Sequence, residues 1–169
     1  MSHSVPGEHK ARAPRERLRF GVLTVSDSRS APEDRSGDEI ASIVKAAGHD
    51  VTARDLVRDE AGDVRAAVER LVGACDVVVV TGGTGVAPRD VTPEAIAPLF
   101  EKRLPGFGEL FRALSWQEVG SSAMMSRAEA GIVAGRPVFL LPGSPGACRL
   151  AMERLVIPEA PHLVGLLRR

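Results

Sequence analysis

The sequence predicts an α/β fold, and three observations lead to it. Short apolar runs alternate with helical stripes through the first half of the chain. One of those runs, Val77–Val80, is four valines in succession, the pattern of a strand buried on both faces of a parallel sheet. Near the other end, Ala130–Ala134 and Pro137–Leu141 flank Gly135-Arg136 and predict a hairpin that adds an antiparallel strand.

Each element has a local reason. Phe20–Ser26 reads FGVLTVS, an apolar run that ends in polar turn residues: a buried strand. Ser36-Gly37-Asp38-Glu39 matches a capping box, in which the Ser and Glu side chains satisfy each other's orphan amides. Ile40, Ile43, Val44 and Ala47 then fall on one helical face, and Gly48 can end that helix. Val51–Val57 has charged residues between its apolar ones and suits a sheet edge. Asp63 can cap the next helix, whose Val64, Ala67, Val68, Leu71 and Val72 form a stripe. Strands and helices in this order imply right-handed βαβ units. Beyond Val80, Thr92-Pro93 reads as an N-cap followed by a proline at the first helical position. Leu104-Pro105-Gly106 breaks the chain before a stripe of Phe107, Leu110, Phe111 and Leu114. Pro142–Pro145 is a turn feeding a helix that buries Cys148, Ala151, Met152, Leu155 and Val156. Pro158 and Pro161 are expected to interrupt the C-terminal segment, leaving Leu163, Leu166 and Leu167 for the domain or a partner chain. Trp116, Met124, Met125 and Met152 are expected in the packing.

Composition narrows the function. The chain has 169 residues, 44% hydrophobic and 26% charged, with formal net charge +0. It is too apolar for a disordered chain, and its balance disfavours nucleic acid as a partner. Residues 1–18 are expected to be a flexible basic tail and 19–169 a single domain. Lys10, Arg12, Arg15, Arg17 and Arg19 against Glu8 and Glu16 leave residues 1–19 at +3 and the remainder at −3. This segment lacks the run of about 7–15 apolar residues of a secretory signal. No stretch reaches the roughly 18 apolar residues of a membrane span, so no membrane partner is expected. Cys75 and Cys148 have no metal-ligand spacing and read as buried thiols of a cytoplasmic protein. His3, His9, His49 and His162 make no zinc motif.

In an open α/β sheet, ligands sit outside the carboxyl ends of the strands. Three loops there are rich in Gly, Ser or Thr: Ser26-Asp27-Ser28, Thr81–Asp90 and Pro142–Pro145. In Thr81-Gly82-Gly83-Thr84-Gly85, the glycines let backbone amides approach an anion, with a helix N-terminus close behind. The loop is neither a Walker A motif nor a dinucleotide fingerprint, and a plain strand-to-helix turn is the alternative. Asp59 and Asp90 flank this region. If the sheet brings them together, they suit Mg²⁺ held jointly with substrate phosphates. Ser126-Arg127 offers a further anion contact, with a surface arginine as the alternative.

As a set, these residues resemble the MoaB/MogA family of molybdenum-cofactor biosynthesis proteins. The set comprises Thr24-Val25-Ser26-Asp27, Ser36-Gly37, Val57-Arg58-Asp59-Glu60, the TGGTG loop and Arg89-Asp90-Val91-Thr92-Pro93-Glu94-Ala95. Pro105-Gly106-Phe107-Gly108, Ser126-Arg127 and Leu141-Pro142-Gly143-Ser144-Pro145 complete it. The similarity covers about residues 19 to 160, and Phe111–Ser115 with Ala147-Cys148-Arg149 looks more like the MoaB branch.

The resemblance implies a three-layer α/β/α sandwich with a mostly parallel mixed sheet carrying one antiparallel strand. It implies molybdopterin binding and, in active members, transfer of AMP from MgATP to the molybdopterin phosphate with release of pyrophosphate. The family's functional aspartates fall on Asp59 and Asp90. On this reading Asp90 holds Mg²⁺, and Asp59 positions ATP or the metal. Thr81, Gly82, Gly83, Thr84 and Gly85 cradle phosphate, Ser126, Arg127, Pro142, Gly143, Ser144 and Pro145 receive the pterin side, and Ser26 and Asp27 join them as substrate-binding residues. ATP and molybdopterin are substrates, and no tightly bound prosthetic group is expected. A homotrimer or hexamer is expected, with transient contacts to other proteins of the pathway. The alternative is a non-catalytic molybdopterin-binding or carrier protein with the same loops.

Overall fold

The computed structural model describes residues 16–28 and 33–169; the expected tail lies almost wholly outside them. Six strands form one sheet: β1 (Arg19–Val25), β2 (Asp50–Val57), β3 (Val77–Thr81), β4 (Lys102–Arg103), β5 (Glu129–Val133) and β6 (Arg136–Leu141). Their order is β2-β1-β3-β6-β5-β4. β2, β1, β3 and β6 run parallel, whereas β5 is antiparallel to both β6 and β4. One strand is therefore reversed, as expected, and β2 is the edge strand that its charged residues suggest.

The helices are α1 (Arg35–Ala46), α2 (Ala61–Ala74), α3 (Thr92–Ile96), α4 (Pro105–Val119), α5 (Pro145–Ala151) and α6 (Ile157–Leu167). They cover both faces. Val77 and Val79 join the core under α1, α4, α5 and α6. Val78 and Val80 join the one under α2 and α3. All four valines are 0% exposed, because strand side chains alternate and both faces are roofed. Cys75 and Cys148 are free thiols buried in the two separate cores. Leu18, on the tail side of the expected boundary, is buried. Among the described residues no helix is long and apolar enough to cross a membrane.

Several local expectations change. Asp34, not Ser36, caps α1: its Oδ1 accepts from the Gly37 amide at 2.9 Å. The Ser36 hydroxyl donates instead to the Gly143 carbonyl at 2.7 Å, and Glu39 pairs with Arg149. The residue before α2 is Glu60, which puts Asp63 in the first turn. Val91 precedes α3, so Thr92 lies inside that helix. The hairpin turn is Ala134-Gly135, both with positive φ, one residue ahead of the expected pair.

The outer surface differs too. Trp116 and Leu110 are exposed because α4 packs its Phe107, Phe111 and Ser115 face inward, and Met124 and Met125 are exposed on the 3₁₀ turn that follows it. Met152 is buried as expected. Pro158 and Pro161 do not interrupt the C-terminal segment. A widened π turn over Met152–Val156 leads into α6, so the missing amide of Pro158 falls at the start of a new helical turn.

Candidate functional site

The parallel strands end together: Val25 is in register with Val57, Thr24 with Thr81, and Thr81 with Leu141. The segments that follow meet around an open cleft of about 610 Å³. It is lined by Ser26, Asp27, Asp59, Gly82, Gly83, Thr84, Gly85, Asp90, Ser126, Pro142, Gly143 and Ser144. These are loops that the sequence singles out, brought together from positions 118 residues apart at the extremes, Ser26 and Ser144.

The glycines permit this approach. Gly82 and Gly83 have positive φ, and a Cβ on Gly82 would lie 2.1 Å from the Val25 carbonyl oxygen. A Cβ on Gly83 would lie 2.2 Å from Thr92 Oγ1 and 2.4 Å from Asp59 Oδ1. On Gly85 it would lie 2.6 Å from Asp90 Oδ2. The loop is tied down from behind: Thr92 Oγ1 donates to the Gly82 carbonyl and the Thr92 amide to the Gly83 carbonyl, both at 2.9 Å.

The acids are unevenly satisfied. Asp27 Oδ1 accepts from the Asp59 amide at 3.0 Å, and Asp27 faces Arg89 at 3.7 Å. Asp90 Oδ2 accepts from the Ala87 amide at 2.9 Å, which sets the direction of that carboxylate. Asp59 Oδ1 is buried with no hydrogen-bond partner. Burial, and then the neighbouring Asp27 and Asp90, push the Asp59 carboxyl above its ordinary range; Arg89 only partly opposes them. A buried carboxylate oxygen among like charges is relieved by a proton or by a bound cation. Among the described residues, no three His, Cys, Asp or Glu side chains converge to hold an ion by themselves.

Three expected site residues stand outside the lining. Thr81 is buried beneath it, its hydroxyl donating to the Pro142 carbonyl at 2.9 Å and so tying two cleft loops together. Pro145 opens α5 next to the lining residue Ser144, whose side chain caps that helix. Arg127 turns behind the Gly-rich loop, where its guanidinium engages main-chain carbonyls and Glu94. Its expected anion contact is thus replaced by protein contacts, because three carbonyls and a carboxylate lie within its reach.

The cleft also has a wall that motif reading misses. Phe111, Ser115, Glu118 and Val119 line it from α4. Their signal is helical spacing on one face, which looks the same in any helix. Arg89 and Ser28, within stretches already singled out, complete the acidic side.

Comparison with known proteins agrees with this architecture. A family model described as "Probable molybdopterin binding domain" matches residues 21–162. Molybdenum cofactor biosynthesis protein B of Bacillus subtilis (strain 168) is 48% identical over 167 residues, covering 96% of either chain. A solved molybdenum cofactor biosynthesis protein B superposes with a TM-score of 0.89 at 43% identity, covering 91% of this chain and 98% of the other. The tungsten cofactor synthesizing protein MoaB of Pyrococcus furiosus superposes at 0.83 with 38% identity, covering 91% and 99%. With the loops, the mixed sheet and the cleft in place, the chain belongs to the MoaB/MogA family of molybdenum-cofactor biosynthesis proteins.

Proposed function

We propose that this chain binds molybdopterin in the cleft and transfers AMP to its terminal phosphate from MgATP, releasing pyrophosphate. The observation that supports this most is Asp59 Oδ1, buried and unpartnered beside the TGGTG loop, with Asp90 on the same cleft. This donor set fits Mg²⁺, which binds through one or two carboxylates and completes its shell with water and phosphate oxygens. Asp90 would hold the ion together with Asp59, and the chemistry supplied there is neutralisation of phosphate charge.

The residues then have separable tasks. A phosphate monoester is largely dianionic at neutral pH, so the nucleophile needs no base. Neither described histidine, His49 nor His162, lines the cleft. An oxygen of the molybdopterin phosphate attacks the α-phosphorus of ATP. A new P–O bond forms, the bond from the α-phosphorus to its bridging oxygen breaks, and pyrophosphate departs with that electron pair. The amides of the Gly-rich loop hold the phosphate groups in line, and the direction of Asp90 is fixed by the Ala87 amide. Ser126 with Pro142, Gly143 and Ser144 receives the pterin side.

The direct test is incubation of purified protein with molybdopterin and MgATP. Adenylated molybdopterin and pyrophosphate should appear in equal amounts. Retained molybdopterin with no pyrophosphate would replace this reading with that of a non-catalytic binder. We also propose a trimer-based oligomer. Exposed Trp116, Leu110 and Leu166 offer apolar surface for it, and a monomer mass by light scattering at micromolar concentration would refute it.

A further inference from the structure

Arg127 comes just before β5, and its side chain is 31% exposed. Its Nε donates to the Gly85 carbonyl at 2.9 Å and to the Thr84 carbonyl at 3.3 Å. Nη2 donates to the Asp90 carbonyl at 2.9 Å, and Nη1 pairs with the Glu94 carboxylate. One planar group thus grips both ends of the segment from Thr84 to Asp90.

In a trans peptide the C=O and the following N–H point in opposite directions. Holding the Thr84 and Gly85 carbonyls from behind therefore aims the Gly85 and Val86 amides the other way. Thr92 does the same for Gly83 and Thr84 by holding the Gly82 and Gly83 carbonyls. Among the described residues, the amides of Gly83, Thr84 and Gly85 donate to no protein acceptor. Successive unengaged amides aligned in this way form an anion-binding concavity.

We infer that Arg127, braced by Glu94, is a positioning residue that orients the Gly-rich loop and Asp90 for a phosphate ligand without touching that ligand. This rests on the reading of the cleft as a phosphate-binding site. The geometry explains why arginine occupies the position. Its fork reaches four acceptors at once, and the single ammonium of lysine cannot. Glu94, at the exposed end, keeps Nη1 turned outward and away from the cleft. Pairing with Arg127 also holds the Glu94 carboxyl below its ordinary range.

The test is binding of pyrophosphate in the presence of Mg²⁺, measured calorimetrically on the full chain and on Arg127→Lys, Arg127→Met and Glu94→Arg. The two Arg127 variants should each weaken pyrophosphate at least tenfold. In the adenylation assay the loss should fall on kcat, with the KM for molybdopterin unmoved. Glu94→Arg should also weaken pyrophosphate, although it adds positive charge beside the loop and electrostatics alone would tighten an anion. Glu94 is exposed, so this variant carries the test if the Arg127 variants do not fold. Normal binding by Arg127→Lys alongside weak binding by Arg127→Met would make Arg127 a direct charge contact and overturn the inference. Binding within twofold of the parent by all variants would also overturn it, as would a parent that does not bind pyrophosphate. A parent that binds pyrophosphate but forms no adenylated product, with the variants weakened as stated, would overturn adenylyl transfer and leave the clamp standing.

Discussion

Asp76 and Asp59 are acids at opposite ends of the sheet, and their surroundings could hardly differ more. Asp76 precedes β3 at the amino edge, with a side chain 4% exposed. It accepts from the Arg19 amide and guanidinium, from Arg168 at 3.0 Å, and has Arg136 at 3.6 Å. Burial alone would push this carboxyl up, but the hydrogen bonds from Arg19 and Arg168 reverse that and bring it to about 2. Asp59, at the carboxyl edge, has a buried oxygen with no partner and two acids for neighbours. The saturated acid ties the start of β1 and the end of α6 to the sheet. The unsatisfied one leaves a buried carboxylate oxygen of the cleft without a protein partner.

The sharpest way to break this comparison is to neutralise each acid. Asp59→Asn and Asp90→Asn should each lower adenylation by about a hundred- to a thousandfold, roughly 3–4 kcal/mol of transition-state stabilisation. Stability should not follow. The fold raises the Asp59 carboxyl, so its ionisation weakens the folded state as pH rises through that value. Removing the Asp59 charge should therefore leave the Tm at pH 7 unchanged or slightly higher. Single-turnover assays beside thermal melts would check this, and a variant as active as the parent under saturating MgATP would reject the metal assignment.

Gly83→Ala should damage both properties, because its Cβ would collide with Thr92 Oγ1 and Asp59 Oδ1 at a φ of +64°. A loss of about 2–3 kcal/mol in denaturant unfolding is expected, with pyrophosphate affinity reduced along with it.

Asp76→Asn should show the converse of Asp59→Asn, a loss of about 2 kcal/mol in stability at pH 7 with activity per folded molecule retained. Because the folded carboxyl is depressed from 3.8 to about 2, its contribution is full above about pH 4 and disappears as pH falls through about 2. The gap between parent and variant, followed by denaturant melts across that window, should close. The smallest effect belongs to Glu39→Gln. Glu39 pairs with Arg149, whose side chain is 59% exposed, so the Tm should shift by no more than about a degree.

Much of this was legible in the chain, for reasons that differ by residue. The four valines, the β2 edge and the TGGTG loop depend on local pattern, and the structure keeps them. The N-cap of α1 could not be read in the same way. Asp34 and Ser36 are both good caps two positions apart, and Asp34 takes the place because Thr24 and Arg54 also hold its carboxylate. Trp116 and Leu110 are exposed although apolar, because apolar character suggests burial without saying which face of α4 turns inward.

By itself the sequence determined the alternation of strands and helices, the glycines that admit a close backbone approach, and the acids Asp59 and Asp90 as candidates. Tertiary structure alone decided which acid is saturated, which is left open, and which way Arg127 turns. The physical reason is range. Backbone conformation and side-chain alternation are set by neighbours a few residues away. The charge on a carboxylate and the partner of a guanidinium are set by groups such as Arg168 beside Asp76 and Gly85 beside Arg127, 92 and 42 positions distant along the chain.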